Sequence, residues 1–172
     1  WSSDVCSSDL IPFTLEELRS IQKIAEAVAR NAGQVISTNF LNRLNDDQAE
    51  KLDITCKDGV VDMVTEVDRK CEEIIITELR KNFPDHDFVG EEGTFLKSKD
   101  LDVDKRNKES YLSPSKPTWI IDPLDGTSNF IKLYPFVAVS IGLVYKDFYL
   151  VGVIYNPILN EMYSAVHGGG AT

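Results

Sequence analysis

The stretch TWIIDPLDGT, residues 118–127, decides how the chain is interpreted, because strand-forming residues lead directly into two carboxylates. Its first four residues predict a buried strand that runs directly into Asp122. Pro123 holds Asp122 in an extended conformation, and a second carboxylate, Asp125, follows three residues later. Gly126 allows a backbone to approach a ligand closely. If a helical turn starts here, its free N–H groups favour an anion.

Two carboxylates beside an anion site would repel a phosphate unless a cation lies between them. Mg²⁺ suits that position, because it prefers carboxylate, carbonyl and water oxygens and commonly bridges to substrate phosphates. Glu91 and Glu92 follow a short predicted strand, and Asp68 opens a predicted helix, so these residues would add oxygens. Metals held in this way would activate a water for an in-line displacement. The DxxDG pattern by itself is more often ordinary turn chemistry.

Along the rest of the chain, the sequence predicts helices first and strands later. A helix begins at Thr14, where Thr14 and Glu17 form a capping box, and its apolar stripe runs to about Phe40. The apolar run at 60–64 predicts an extended piece, and a second helix follows at about 66–82.

The later part of the chain predicts four further strands, at 88–89, 137–145, 148–155 and 161–166. We therefore expect an α+β fold in which two long helices pack on a mostly antiparallel sheet.

Composition excludes several classes of protein. The chain has 172 residues and a formal net charge of −10, which argues against nucleic acid and anionic membrane surfaces as partners. Three widely spaced cysteines without a CxxC pair argue against a disulfide framework or a cysteine zinc site. No apolar run reaches the roughly 20 residues of a membrane span. Residues 1–10 carry no signal-peptide pattern and are expected to be a disordered or artefactual leader, so a cytoplasmic location is expected.

Some residues favour a purely structural interpretation. His86 is expected to be a solvated loop residue, whereas Trp119 and Phe136 are expected in the core. Cys71 lies on the apolar face of the second helix and is most simply a buried hydrophobic residue.

Several segments occur in a set order and at consistent spacing across about residues 14–171. They are DMVTEVD (62–68), GEE (90–92), WIIDPLDGTSNF (119–130), YPFVAVSIG (134–142) and GVIYNP (152–157). Together these segments resemble the inositol monophosphatase family. The resemblance implies a layered α/β sandwich of the inositol monophosphatase and fructose-1,6-bisphosphatase type. It also implies a Mg²⁺-dependent, lithium-sensitive phosphomonoesterase that is usually a homodimer.

The resemblance also implies a metal site. Carried over by motif position, its ligands would be Glu91, Asp122, the backbone carbonyl of Leu124, and Asp125. Lys57 matches a family lysine near a loop of the metal site.

The same motif positions imply the catalytic and substrate-binding residues. Glu91 and Thr127 would position and activate the attacking water, and Asp68 would hold Thr127. Asp125, Gly126 and Thr127 would bind the substrate, with the backbone at the last two receiving the phosphate. Water would attack directly, without a covalent phosphoenzyme.

The chain departs from the family pattern in one important respect. The family continues after the Gly-rich segment at 168–170 into a second lobe, which supplies a further Asp ligand and most contacts to the substrate's alcohol. We therefore expect residues 11–172 to be an N-terminal lobe whose C-terminal lobe is missing, with a sheet edge or face left exposed.

The expected reaction is hydrolysis of a small phosphate monoester, with inositol monophosphate as the expected substrate. Three alternatives stay open: a 3′(2′),5′-bisphosphate nucleotidase, a histidinol-phosphate phosphatase, and a non-catalytic, truncated metal-binding lobe.

Overall fold

The structure, a computed structural model, describes residues 11–45, 57–90 and 115–172, with the backbone alone at 57–62. The first helix, α1, spans Leu15–Asn45 and starts at the expected capping box. The Thr14 N–H donates to Glu17 Oε2 at 2.7 Å, and the Glu17 N–H donates to Thr14 Oγ1 at 3.2 Å. The Thr14 hydroxyl also donates to Glu17 Oε2, at 2.8 Å. Because the two bonds that Thr14 donates favour the ionised carboxylate, they lower the pKa of Glu17, the backbone bond most of all.

The second helix, α2, spans Lys57–Asn82, so the extended piece predicted at 60–64 is wrong. The physical reason lies in the spacing of buried side chains. Val64, Val67, Cys71 and Ile75 recur at intervals of three and four residues, and all are at most 4% exposed. A continuous helical stripe against the core therefore outweighs the local strand preference of valine.

Six strands form one sheet in the order β1-β2-β3-β4-β5-β6. They are β1 (Asp87–Val89), β2 (Thr118–Asp125), β3 (Ala138–Tyr145), β4 (Phe148–Asn156), β5 (Glu161–Val166) and β6 (Gly170–Ala171). The pair β1 and β2 is parallel, and the other pairs are antiparallel. The expected mostly antiparallel sheet is thus confirmed, although β2 runs four residues past its predicted end at Ile121. A short helix, α3 (Thr127–Ile131), follows β2.

Both long helices pack on one face of the sheet, with α1 across β3, β4 and β5 and α2 on β2. This inner face carries fully buried side chains, among them Trp119, Ile141 and Val153. Gly33 lets α1 approach the sheet closely, because a Cβ there would lie 2.7 Å from Tyr155 Cε1. The helices and the inner face therefore share one core, as expected for an α+β fold.

The outer face of the sheet remains open among the described residues. Registered partners form a row of mainly small residues across five strands: Ile120, Gly142, Gly152, Ala165 and Ala171. Beside this row lie Ile154 and Tyr163, which are 49% and 57% exposed. The described part of the sheet thus exposes an apolar face, as the sequence predicted.

Two of the structural interpretations are corrected. Phe136, expected in the core, is 67% exposed. His86, expected in solvent, is half-buried and stacks on Phe83 with a centroid separation of 5.0 Å. Trp119 and Cys71 are fully buried, as expected.

Candidate active site

The two carboxylates of the decisive stretch lie on the same face of the sheet because β2 contains a bulge. Asp122 pairs with Ser140, and Asp125 pairs with Ala138, so three steps along β2 match two steps along β3. In a regular strand, residues three apart point to opposite faces. The extra residue restores Asp125 to the outer face, where Asp122 also lies, and leaves Leu124 buried. Pro123 explains the location, because proline cannot donate to the ladder.

Hydrogen bonds fix the turn after the bulge. The Leu124 N–H donates to Asp122 Oδ1 at 3.2 Å, which orients the first carboxylate. The Thr127 hydroxyl donates to the Leu124 carbonyl at 3.1 Å. A carbonyl oxygen has two acceptor positions, and the Thr127 hydroxyl occupies one of them. Three of the sequence-predicted groups are therefore brought together by the chain's own bonds.

Gly126 connects the bulge to α3 in a conformation that other residues rarely adopt. Its φ of 86° lies in the left-handed region. A Cβ at this position would lie 2.8 Å from the Phe136 carbonyl oxygen, so the backbone of the following loop also requires glycine. In addition, the Gly126 carbonyl accepts from the N–H groups of Asn129 and Phe130, at 2.8 and 3.0 Å. The amides of Thr127 and Ser128 therefore precede the ladder of α3 and point out of its first turn.

The short helix α3 is held from two sides. From α1, Arg43 donates through Nη1 to the Phe130 carbonyl at 2.6 Å and through Nη2 to the Ile131 carbonyl at 2.7 Å. Burial lowers the pKa of Arg43, because it removes water from the charged guanidinium. From the other side, Asn129 Nδ2 donates to the Phe136 carbonyl at 2.8 Å. The helix that follows the two carboxylates is thus fixed to α1 and to the loop before β3.

Other predicted site residues have different outcomes. Asp68 lies half-buried on α2, and its carboxylate contributes to raising the pKa of Cys71 to about 12, although burial of the thiol is the larger cause. That Asp68 holds Thr127 stays a prediction, because the bond the structure gives the Thr127 hydroxyl is the one to Leu124. Glu91 and Glu92 lie outside the described residues, and the side chain of Lys57 is likewise not described.

The described donor groups are of the type that a hard cation prefers, but they are too few to hold one by themselves. Asp122, Asp125 and the Leu124 carbonyl offer oxygen only, which matches the preference of Mg²⁺. Within the described ranges, no group of three or more His, Cys, Asp or Glu side chains is close enough to hold a metal. The predicted ligand Glu91 would have to complete such a group.

Among the described helices, none is both long and apolar enough to cross a membrane.

Sequence reasoning missed three residues that shape the site: Arg43, Asn129 and Asn156. Asn156 Nδ2 donates to the Pro135 carbonyl at 2.8 Å, and its Oδ1 accepts from the N–H groups of Ile158 and Leu159. Asn156 lies in the segment GVIYNP, so its position was noted without a role. Arg43 had no local signal, because its partners are 87 and 88 residues away.

Comparison with known proteins gives a consistent family. A model of the inositol monophosphatase family matches residues 17–172. "Inositol monophosphatase 2" of Solanum lycopersicum is 40% identical over 148 residues, which are 86% of this chain and 49% of the relative. "Nus factor SuhB" of Pasteurella multocida is 41% identical over 148 residues, which are 86% of this chain and 48% of the relative.

Solved structures agree with the sequence matches. The crystal structure of the extragenic suppressor protein suhB from Bartonella henselae superposes with a TM-score of 0.66 at 30% identity, covering 89% of this chain and 50% of that one. This likeness confirms the expected fold class. The chain spans about half the length of the curated relatives it matches.

Proposed function

Because the chain belongs to the inositol monophosphatase family, we propose that it carries the metal- and phosphate-binding half of a Mg²⁺-dependent phosphomonoesterase. Membership of this family supports phosphatase activity in general, and inositol monophosphate is the substrate that we propose. The observation that carries this proposal is the bulge at Pro123, which turns Asp122 and Asp125 to the same face beside the first turn of α3. An all-oxygen donor set beside the backbone amides of a helix's first turn suits Mg²⁺ together with a phosphate.

The proposed roles follow the sequence prediction. Glu91, Asp122, Asp125 and the Leu124 carbonyl would hold the metal, which when bound supplies an activated water and charge neutralisation. The backbone at Gly126 and Thr127 would bind the phosphate. Thr127 would orient the attacking water together with Glu91, and its hydroxyl would be held by Asp68.

The length of the chain limits which activities are proposed for it. Residues 11–172 are proposed to act as the N-terminal lobe of the family domain. Since the chain spans about half the length of its relatives, turnover is proposed for a protein that contains the whole domain, and metal binding is proposed for this chain. Lithium sensitivity, a homodimeric whole protein and a cytoplasmic location are parts of the same proposal.

Calorimetric titration of the chain with Mg²⁺ tests the metal assignment. We expect Asp122→Asn to weaken Mg²⁺ binding by at least tenfold, because a neutral amide replaces a charged ligand. Asp147→Asn is the matched control, since Asp147 is exposed in the turn between β3 and β4. Equal Mg²⁺ affinity in the two variants would show that Asp122 is not a ligand.

Phosphate release tests the substrate class. We expect the whole domain to hydrolyse inositol monophosphate faster than an adenosine bisphosphate or histidinol phosphate, in a Mg²⁺-dependent reaction that Asp122→Asn abolishes. Preference for either competing substrate would instead favour the corresponding phosphatase of the same superfamily. Mg²⁺ binding without release from any of the three would favour a non-catalytic module.

A further inference from the structure

We infer that Arg43 is a positioning residue for the proposed phosphate-binding turn, acting through α3 and not by contact with the ligand. This inference rests on the proposed function, because the turn that Arg43 would position is the proposed phosphate-binding turn. Arg43 lies in the last turn of α1, whereas the turn it is proposed to position follows β2. The contact therefore joins the helical layer to the site.

The contact is specific in geometry. Two neighbouring carbonyls, those of Phe130 and Ile131, each accept from a different nitrogen of the guanidinium, at 2.6 and 2.7 Å. The guanidinium carbon also lies 5.5 Å from the centre of the Phe130 ring, which is fully buried. A planar fork with two parallel donors matches two adjacent carbonyls, whereas the single ammonium of lysine does not. The positive charge also lies at the end of α3 where carbonyl dipoles favour it.

The helix needs such support because it is very short. With five residues, α3 is well below the length at which a helix sustains itself. Its N-cap is Gly126, which provides no side-chain cap. Its orientation therefore depends on contacts with other elements, and Arg43 fixes its last carbonyls while Asn129 fixes its middle.

Movement of α3 would reach the site directly. Thr127 is the first residue of α3, and its hydroxyl donates to the Leu124 carbonyl, a proposed metal ligand. The helix is only about 7.5 Å long at 1.5 Å per residue, so a tilt at Ile131 displaces the amides of Thr127 and Ser128. Arg43 is thus proposed to set where those amides point.

The test compares three variants of the ¹⁵N-labelled full chain at a temperature where all are folded. Arg43→Met removes the donors and keeps the length of the side chain. Arg43→Lys keeps the charge and loses the fork. Arg30→Met is the matched control, because Arg30 also lies on α1 and stacks on an aromatic ring, that of Tyr155 at 5.2 Å. The readouts are the amide resonances of residues 126–128 and the affinity for inorganic phosphate in the presence of Mg²⁺.

We expect Arg43→Met to shift all three amide resonances and to weaken phosphate binding about tenfold. An effect of this size is typical when a residue that orients the direct ligands of a site is lost. Arg43→Lys is expected to give intermediate values, and Arg30→Met to change neither readout. An Arg43→Met chain that melts earlier but keeps its amide resonances and its phosphate affinity would overturn the inference. If Arg43→Met does not fold, unchanged readouts in Arg43→Lys would overturn it equally.

Failure of the proposed function gives a different result. In that case the wild-type chain would not bind phosphate in the presence of Mg²⁺. The amide resonances would still decide whether Arg43 sets the geometry of the turn.

Discussion

Replacing Gly126 with alanine is the sharpest test of the turn after β2. Two costs add at this position. An L-residue in the left-handed region costs about 1–2 kcal/mol, and Gly126 has a φ of 86°. The new Cβ would also lie 2.8 Å from the Phe136 carbonyl oxygen, so backbone must move, at a typical overpacking cost of about 1–3 kcal/mol. We therefore expect Gly126→Ala to lower the free energy of unfolding by about 2–5 kcal/mol.

Gly168→Ala separates the two costs. Gly168 has a φ of 71°, and a Cβ there would meet nothing within 4 Å among the described atoms. This variant should show the conformational cost of about 1–2 kcal/mol without the clash. The entropy that alanine removes from the unfolded chain is common to both variants and cancels in their difference.

Urea denaturation followed by circular dichroism measures the difference. With a slope of about 2 kcal/mol per molar urea, the midpoint of Gly126→Ala should fall about 0.5–1.5 M below that of Gly168→Ala. Mg²⁺ binding should also weaken in Gly126→Ala, because the Leu124 carbonyl moves with the turn. Identical midpoints for the two variants would refute the argument that the Phe136 carbonyl requires glycine.

Two predictions concern buried groups elsewhere in the chain. Burial lowers the pKa of His86, and this effect outweighs the opposite effect of the Asp85 and Asp87 carboxylates. The unfolded chain therefore binds more protons than the folded chain below about pH 6.5. Stability is lost as the pH falls from there through the folded-state pKa. Melting temperatures between pH 7 and pH 5 should show this loss, and His86→Phe should reduce its slope, so an unchanged slope in that variant would contradict the role of His86. Cys71 is fully buried, and its pKa is raised to about 12. Iodoacetamide at pH 8 should therefore label Cys71 only after urea is added, as measured by peptide mass spectrometry. Labelling of Cys71 in the folded chain would contradict its burial.

Much of the fold follows from local patterns in the sequence. The capping box at Thr14 and Glu17 predicted the start of α1, and alternation of apolar residues predicted β3, β4 and β5 to within one residue. These signals are strong because each element buries one face against the same core. The start of α2 was missed because the valine-rich segment favours a strand locally, although the helical spacing continues through Val64.

The site was predicted in its residues but not in its geometry. The sequence placed Asp122 and Asp125 together, yet a spacing of three within a strand should separate them, and a bulge has no pattern beyond Pro123. The contacts of Arg43 join segments 87 and 88 residues apart, so no local rule reveals them. Phe136 and His86 were misjudged for the same reason, because tertiary neighbours decide their exposure.

The bulge in β2 also makes the site depend on how two strands are paired. A strand alternates its side chains with a period of two, so the extra residue acts as a change of phase between Asp122 and Asp125. If the same sequence paired with β3 as a regular ladder, Asp125 would turn towards the core without any change in its identity. Changes that shift the register of β2 against β3 should therefore be more damaging to the site than most substitutions in the same strand. The register of this strand pair is in this sense as much a part of the site as the carboxylates themselves.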